Sequence, residues 1–320
     1  MIRGAGGPID FRRAPGYCAR VVSATERTTL VRFALVVAAV VAAVGLAACG
    51  SSSSPTSASG ASGASGASGA SGTSGEQGAT SNISTTFAKP TSKEDAIGAT
   101  FLKEGGIAGL AQILGSTFEI PKHITVDAVN GLDGGPHYDP SNNTITFQYG
   151  FAALIFETLR QNNPDWSSHK LGFATGAVIA FILEHEFTHA LIHVYNLPVL
   201  GKEEDAADTL ATLLLLKSPK GDKLALGAAE FWADFSGRQN PPAIADYADA
   251  HSLDLQRAYS IICDIAGSNQ ERYNEINQAG ILPNGDIKSC PAQYQQDVKS
   301  FTQVLQPHVN GNLNFQAPSN

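Results

Sequence analysis

The sequence predicts an α+β domain, helix-dominated with a small sheet, behind leading segments that belong to no fold. Three observations carry this. Beyond residue 85, apolar positions recur at helical spacing through most of the chain. Only two stretches there read as strand, residues 123–129 and the alternating residues 144–149. Ahead of residue 85 an arginine-bearing leader is followed by one uninterrupted apolar run and then by serine, glycine and alanine.

In chain order, residues 93–114 have helical spacing, weakened in the middle by Gly105-Gly106. A short strand is expected at 123–129, followed by the turn-rich GLDGGPHYDP of residues 131–140. Residues 144–149, Thr-Ile-Thr-Phe-Gln-Tyr, alternate as a strand does. Residues 151–161 suit a helix ended by Asn162-Asn163-Pro164. The longest apolar helical stretch runs from about 173 to 195 and stops at Leu197-Pro198 and Gly201. The next helix opens on Glu203, Glu204 and Asp205, acids that suit a helix N-terminus, and stops before Pro219. Further helices are expected near 222–235, 242–250, 253–267 and 291–306.

The 320-residue chain divides into three parts. Residues 33–48, FALVVAAVVAAVGLAA, are uncharged and follow Arg32 and more arginines upstream. Sixteen residues is short for a membrane span and fits the apolar core of a signal peptide. The run ends Leu46-Ala47-Ala48-Cys49-Gly50, which resembles the lipobox of bacterial lipoproteins. That resemblance implies cleavage before Cys49 and a diacylglycerol on its sulfur. Residues 1–48 are then a lipoprotein signal peptide. Residues 49–84 are a lipidated cysteine and a disordered Ser/Gly/Ala linker with almost no charge and nothing to bury. Such a linker reaches about 30–35 Å and holds the body, residues 85–320, off the membrane. The expected location is extracytoplasmic, lipid-anchored to the bacterial cell membrane.

The formal charge is −8. Residues 1–49 hold six arginines and two acids, so the remainder carries 15 basic against 27 acidic residues, a net of −12. A body this acidic is repelled by nucleic acid, which excludes that class of partner. Cys263 and Cys290 lie in the body, and in an exported protein such a pair is expected to form a disulfide.

Inside the long apolar helix stands His185-Glu186-Phe187-Thr188-His189. Histidines at i and i+4 lie about 40° apart around a helix and one turn apart along it, so both imidazoles can reach one ion. Glu186 can lean toward a water on the open face of that ion and act as general base. Two histidines and two acids, Glu184 and Glu186, in an apolar helix need partners, and a metal supplies them. Fifteen residues after His189, Glu204 and Asp208 share one face of the next helix. Glu204 is the expected third ligand, and Asp208 the carboxylate that orients a histidine ligand through its other ring nitrogen. Glu203 and Asp205 read as exposed neighbours. The expected cofactor is one zinc ion on His185, His189 and Glu204.

HExxH followed by ExxxD on the next helix resembles the gluzincin group of metallopeptidases. The stretch HEFTHALIHVYNLPVLGKEEDAADTLATLLLL, together with ADAHSLDLQR and Cys263, resembles a family of bacterial metallopeptidases catalogued as a domain of unknown function. The resemblance spans roughly residues 117–291. It implies a zincin-like metallopeptidase domain with an HExxH active-site helix, zinc on His185, His189 and Glu204, and catalysis by Glu186. It implies a peptide or protein substrate and says little about which.

His251 is the remaining polar outlier. It could stabilise the oxyanion of a tetrahedral intermediate, oriented by Asp249 or Asp254, with Arg257 as a second candidate for that task. His193, two turns beyond His185, is too far to share the ion. By analogy with other zincins, an edge strand around 144–149 could hold an extended peptide. Two other classes compete with this reading. A catalytically silent lipid-anchored binding or envelope-maintenance protein would keep the scaffold without turnover, but would have no use for Glu186. A di-iron carboxylate bundle needs a second ExxH helix, and none is present.

Overall fold

A computed structural model describes residues 82–315, apart from 219, 238–240 and 283–286. The expected signal peptide, Cys49 and the linker as far as residue 81 lie outside the described residues.

The domain is helix-dominated with one four-stranded mixed sheet. Strand β1 (Ile83–Phe87) opens it, two residues ahead of the boundary expected at 85. Helices α1 (Lys93–Glu104) and α2 (Ile107–Thr117) lead to β2 (Ile124–Val129). Strands β3 (His137–Asp139) and β4 (Thr144–Gln148) complete the sheet. Its order is β1-β2-β4-β3, with β1, β2 and β4 parallel and β3 antiparallel to β4. In β2, Ile124, Val126 and Ala128 are buried while their neighbours are half-buried, the period-2 pattern of a strand with one face on a core.

Two expectations change here. Residues 93–114 are two helices rather than one, because Gly106 adopts a left-handed φ of 75° that breaks the run. The strand at 144–148 is interior, paired with β2 on one side and β3 on the other, so its backbone is already used and cannot accept an added peptide. The edges are β1 and β3. The one that packs on the site's helix is β3, inside the stretch expected to be turn-rich, with Tyr138 6.0 Å from the His193 ring.

Helices α3 (Tyr149–Asn162), α4 (Ser168–Tyr195), α5 (Glu203–Leu216) and α6 (Gly221–Ser236) pack around the long α4. Ser167 caps α4 by accepting from the Lys170 amide, and Asn196, at φ 51°, ends it in the left-handed conformation. At 28 residues α4 is about 42 Å long. It is long and apolar enough to cross a membrane, yet it is buried by the rest of the fold. Its apolar residues contact neighbours on every side, which is why no polar stripe interrupts the sequence there.

Residues expected as a helix at 242–250 form only a 3₁₀ turn, Ile244–Ala248. Helices α7 (Asp254–Ser268), α8 (Gln270–Ala279) and α9 (Cys290–Leu305) close the domain. A disulfide joins Cys263 on α7 to Cys290 at the start of α9. The two helices meet closely at Gly267, where a Cβ would lie 2.5 Å from the Cys290 carbonyl oxygen.

Candidate metal centre

The tight turn after Asn196 returns the chain as α5, antiparallel in sense to the end of α4 and packed against it. That turn brings the first residues of α5 opposite the second half of α4. His185, His189 and Glu204, separated by up to 19 positions, converge on one point. His185 Nε2 lies 3.2 Å from His189 Nε2 and 3.2 Å from Glu204 Oε2, and His189 Nε2 lies 3.3 Å from the same oxygen.

Donors held at about 2.0–2.1 Å around a tetrahedral zinc are about 3.3–3.4 Å apart. The three measured edges match that triangle. Two imidazole nitrogens at 3.2 Å repel through their lone pairs unless a proton or a cation lies between them. The donor set and its spacing therefore fit a single small divalent ion.

Both histidines are aimed by carboxylates. His185 Nδ1 is 2.8 Å from Asp208 Oδ1, and His189 Nδ1 is 2.8 Å from Glu203 Oε1. With the proton on each Nδ1, each Nε2 turns its lone pair to the common point. Sequence reasoning assigned this task to Asp208 and took Glu203 for a bystander. The signal that could have found Glu203 is its place beside Glu204 in the first turn, opposite the second histidine.

Asp208 is itself gripped. Arg257 donates Nε to Asp208 Oδ2 and a terminal nitrogen to Oδ1, both at 2.7 Å. The guanidinium also lies 3.5 Å over the Trp232 ring. Arg257 is thus fully engaged beneath His185 and does not stand at the mouth of the site, which removes it as an oxyanion donor.

The electrostatics follow from this packing. Burial pushes the Asp208 carboxyl up, but the Arg257 charge and its hydrogen bonds, joined by His185, win and hold it well below the usual carboxylate range. Burial likewise raises Glu204, and hydrogen bonds from His185, His189 and His251 overcome it, leaving a strongly lowered carboxyl. Burial disfavours charge on His189, yet Glu203, Glu204 and the field of Glu186 push it up to about 10. His185 is raised in the same way, by Asp208, Glu204 and Glu186 against burial. The pocket is a concentrated negative field, suited to a cation.

Glu186 is buried beside His185, and no side chain among the described residues hydrogen-bonds it. Glu184, two residues earlier and so about 200° around α4, contrasts with it. The Glu184 carboxyl is sealed, its Oε2 has no partner among the described residues, and burial alone raises its pKa well above the usual value. Glu184 is therefore a core acid whose charged form is disfavoured by burial, whereas Glu186 shares the field of the two imidazoles.

His251 comes to the same point from the segment before α7. Its Nε2 lies 2.8 Å from Glu204 Oε2, its Nδ1 3.3 Å from Asp249 Oδ1, and its ring stacks at 18° on His185 with centroids 6.0 Å apart. Asp249 rather than Asp254 is the carboxylate that touches it. Asp254 is pushed up to about 6, burial outweighing the pull of Arg257 and His251. His185, Glu204 and His251 form a second triad whose donor atoms lie within 4.8 Å of one another.

Comparison with known proteins agrees with this chemistry. A family model described as "Putative metallopeptidase" (DUF4344) matches residues 87–305. No curated protein and no solved structure matches the chain.

Proposed function

The chain belongs to that family, and on this premise we propose that it is a zinc-dependent peptidase of the gluzincin type acting at the bacterial cell envelope. The single observation that carries the reading is the His185, His189 and Glu204 triangle, with edges of 3.2 to 3.3 Å. These three residues hold the ion, with Asp208 and Glu203 fixing the two imidazoles. When bound, zinc supplies Lewis-acid polarisation of a carbonyl and acidifies water at neutral pH.

Glu186 acts as general base and then acid. Next to both imidazoles and without a side-chain hydrogen bond among the described residues, it takes a proton from the attacking water and delivers it to the leaving amine. The Asp208–Arg257 pair keeps His185 in the tautomer that presents Nε2 and absorbs charge that develops on the ring. The β3 edge beside α4, rather than β4, is the backbone available to align an extended peptide. Cys49 and the linker tether the domain outside the membrane.

The test is Glu186→Gln. Hydrolysis of a proteome-derived peptide mixture should fall by about 10²–10⁴-fold, the usual contribution of a positioned acid–base group, with one zinc per chain retained. A variant that keeps full hydrolysis while binding zinc would show that another group moves the proton. Zinc retained with no turnover by the wild type on any peptide would favour a binding protein on this scaffold.

A further inference from the structure

We infer that His251 is a positioning residue of the centre: its Nε2 donates a hydrogen bond to the Glu204 oxygen that faces the two α4 imidazoles, and so holds that carboxylate in place as a ligand. This rests on the metallopeptidase reading and adds to it a residue that acts through Glu204 and touches neither ion nor substrate.

Three ring nitrogens surround Glu204 Oε2: His185 Nε2 at 3.2 Å, His189 Nε2 at 3.3 Å and His251 Nε2 at 2.8 Å. The first two match the edge of about 3.3–3.4 Å between donors on one tetrahedral zinc, and the third is too short for it. It has instead the length of a charge-assisted N–H to carboxylate hydrogen bond, about 2.7–2.9 Å. His185 and His189 set their Nδ1 atoms against Asp208 and Glu203, each at 2.8 Å. A ligating pair keeps its protons there and brings only lone pairs to the common point. His251 is then the one ring of the three that brings a proton to Oε2. A carboxylate oxygen has two lone pairs, so one can take the ion while the other takes this proton. With that proton committed to Glu204, His251 serves the ligand rather than the oxyanion.

The segment that carries His251 is keyed to the turn that carries Glu204. Lys202 Nζ donates to the carbonyls of Asp249 and His251 at 3.1 and 3.2 Å, and the Ser252 hydroxyl donates to Asp205 at 2.7 Å. Lys202 and Asp205 bracket Glu203 and Glu204, so donor and acceptor are fastened as one piece. The backbone amide of His251 donates to Asp249 Oδ1 at 2.9 Å, with Nδ1 of the ring 3.3 Å from the same oxygen. Packing does not explain the arrangement. Residues 249–252 bury no side chain, and that of His251 is 30% accessible. What fixes the ring is polar at every point, and what it reaches is the third ligand.

Competition of the full-length protein with a chromophoric chelator for zinc reads this directly. His251→Phe keeps a flat ring and removes the donor, so zinc affinity should fall about 10–100-fold, the usual cost of losing the partner behind a metal ligand. His251→Gln sets an amide N–H near the place of Nε2 and should restore most of that affinity, a rescue that a packing role would not give. X-ray absorption at the zinc edge should count two imidazoles in the wild type and in both variants. Stoichiometric zinc held as tightly by His251→Phe as by the wild type would overturn the positioning role and leave the metallopeptidase reading standing. So would His251→Gln binding as weakly as His251→Phe, or three imidazoles in the wild type. A wild type that takes up no zinc would end both.

Discussion

Replacing Asp208 by asparagine separates what the buried carboxylate does for the fold from what it does for the metal. Asp208 is 5% exposed and faces three donors: His185 Nδ1 at 2.8 Å and two Arg257 nitrogens at 2.7 Å. Asparagine keeps the shape but exchanges one acceptor oxygen for a donor, so one donor must face another donor. It also leaves the Arg257 guanidinium buried without its counter-charge. Stranding one member of a buried ion pair costs about 3–5 kcal/mol. In a domain of this size each kcal/mol moves the unfolding midpoint by about 2–4 °C, so Asp208→Asn should lower it by about 6–20 °C. The loss of the carboxylate behind His185 should weaken zinc binding by about 10–100-fold. Urea unfolding of chelator-treated protein reads the first effect, and competition with a chromophoric chelator, at a temperature where both proteins are folded, reads the second. Adding Arg257→Leu removes the stranded charge, so the double variant should regain much of the stability and none of the affinity. Wild-type stability and affinity in the single variant, or affinity restored in the double variant, would refute this division of labour.

Other outcomes follow from the same geometry. Replacing Cys263 and Cys290 by serine opens the bridge across their separation of 27 residues and should cost about 3–4 kcal/mol in the chain-entropy view, readable as a lower midpoint in calorimetry. Asp264, buried with Oδ1 lacking a partner among the described residues, has its pKa raised well above the usual value by burial and then by Asp297. The folded state therefore holds a proton that the unfolded chain releases above about pH 4, and stability falls as pH rises through that window. Asp264→Asn should flatten that fall, so its advantage over wild type in urea should be larger at pH 8 than at pH 5; an equal advantage at both would refute it. Because His189 is pushed up to about 10 in the metal-free site, zinc uptake at pH 7 must expel protons. Titration calorimetry should give a binding enthalpy that changes with the buffer's ionisation enthalpy, and an affinity that weakens as pH falls.

How much of this was legible depends on how far each signal reaches along the chain. The HExxH spacing is local to one helix, and Glu204 and Asp208 share one face of the next, so periodicity alone sets them side by side. What it could not show is which carboxylate would meet which imidazole, since Glu203 and Glu204 differ by only about 100° around α5. The Arg257–Asp208 pair spans 49 positions, and nothing near Arg257 distinguishes it from a surface arginine. Only the first two residues of β1, Ile83-Ser84, fall inside the linker expected at 49–84, because Ile-Ser-Thr-Thr-Phe is polar enough to continue the preceding stretch. Residues 242–250 do not make a full helix because they begin on Pro242, directly after Pro241, and the turn at Ile244–Ala248 buries no residue to hold it. The interior position of β4 depends on β3, three residues drawn from a stretch dense in glycine and proline, where turn chemistry masks a short strand.

The enclosure of α4 has a consequence for how such a protein can diversify. A helix that is core on every side admits few substitutions, and any that shift His185 or His189 also disturb packing shared by α3, α5 and α6. Residues 249–252, which meet solvent near the site, bury no side chain in that interior. Those few surface residues, His251 apart, can therefore be rewritten while the candidate metal centre stays as it is.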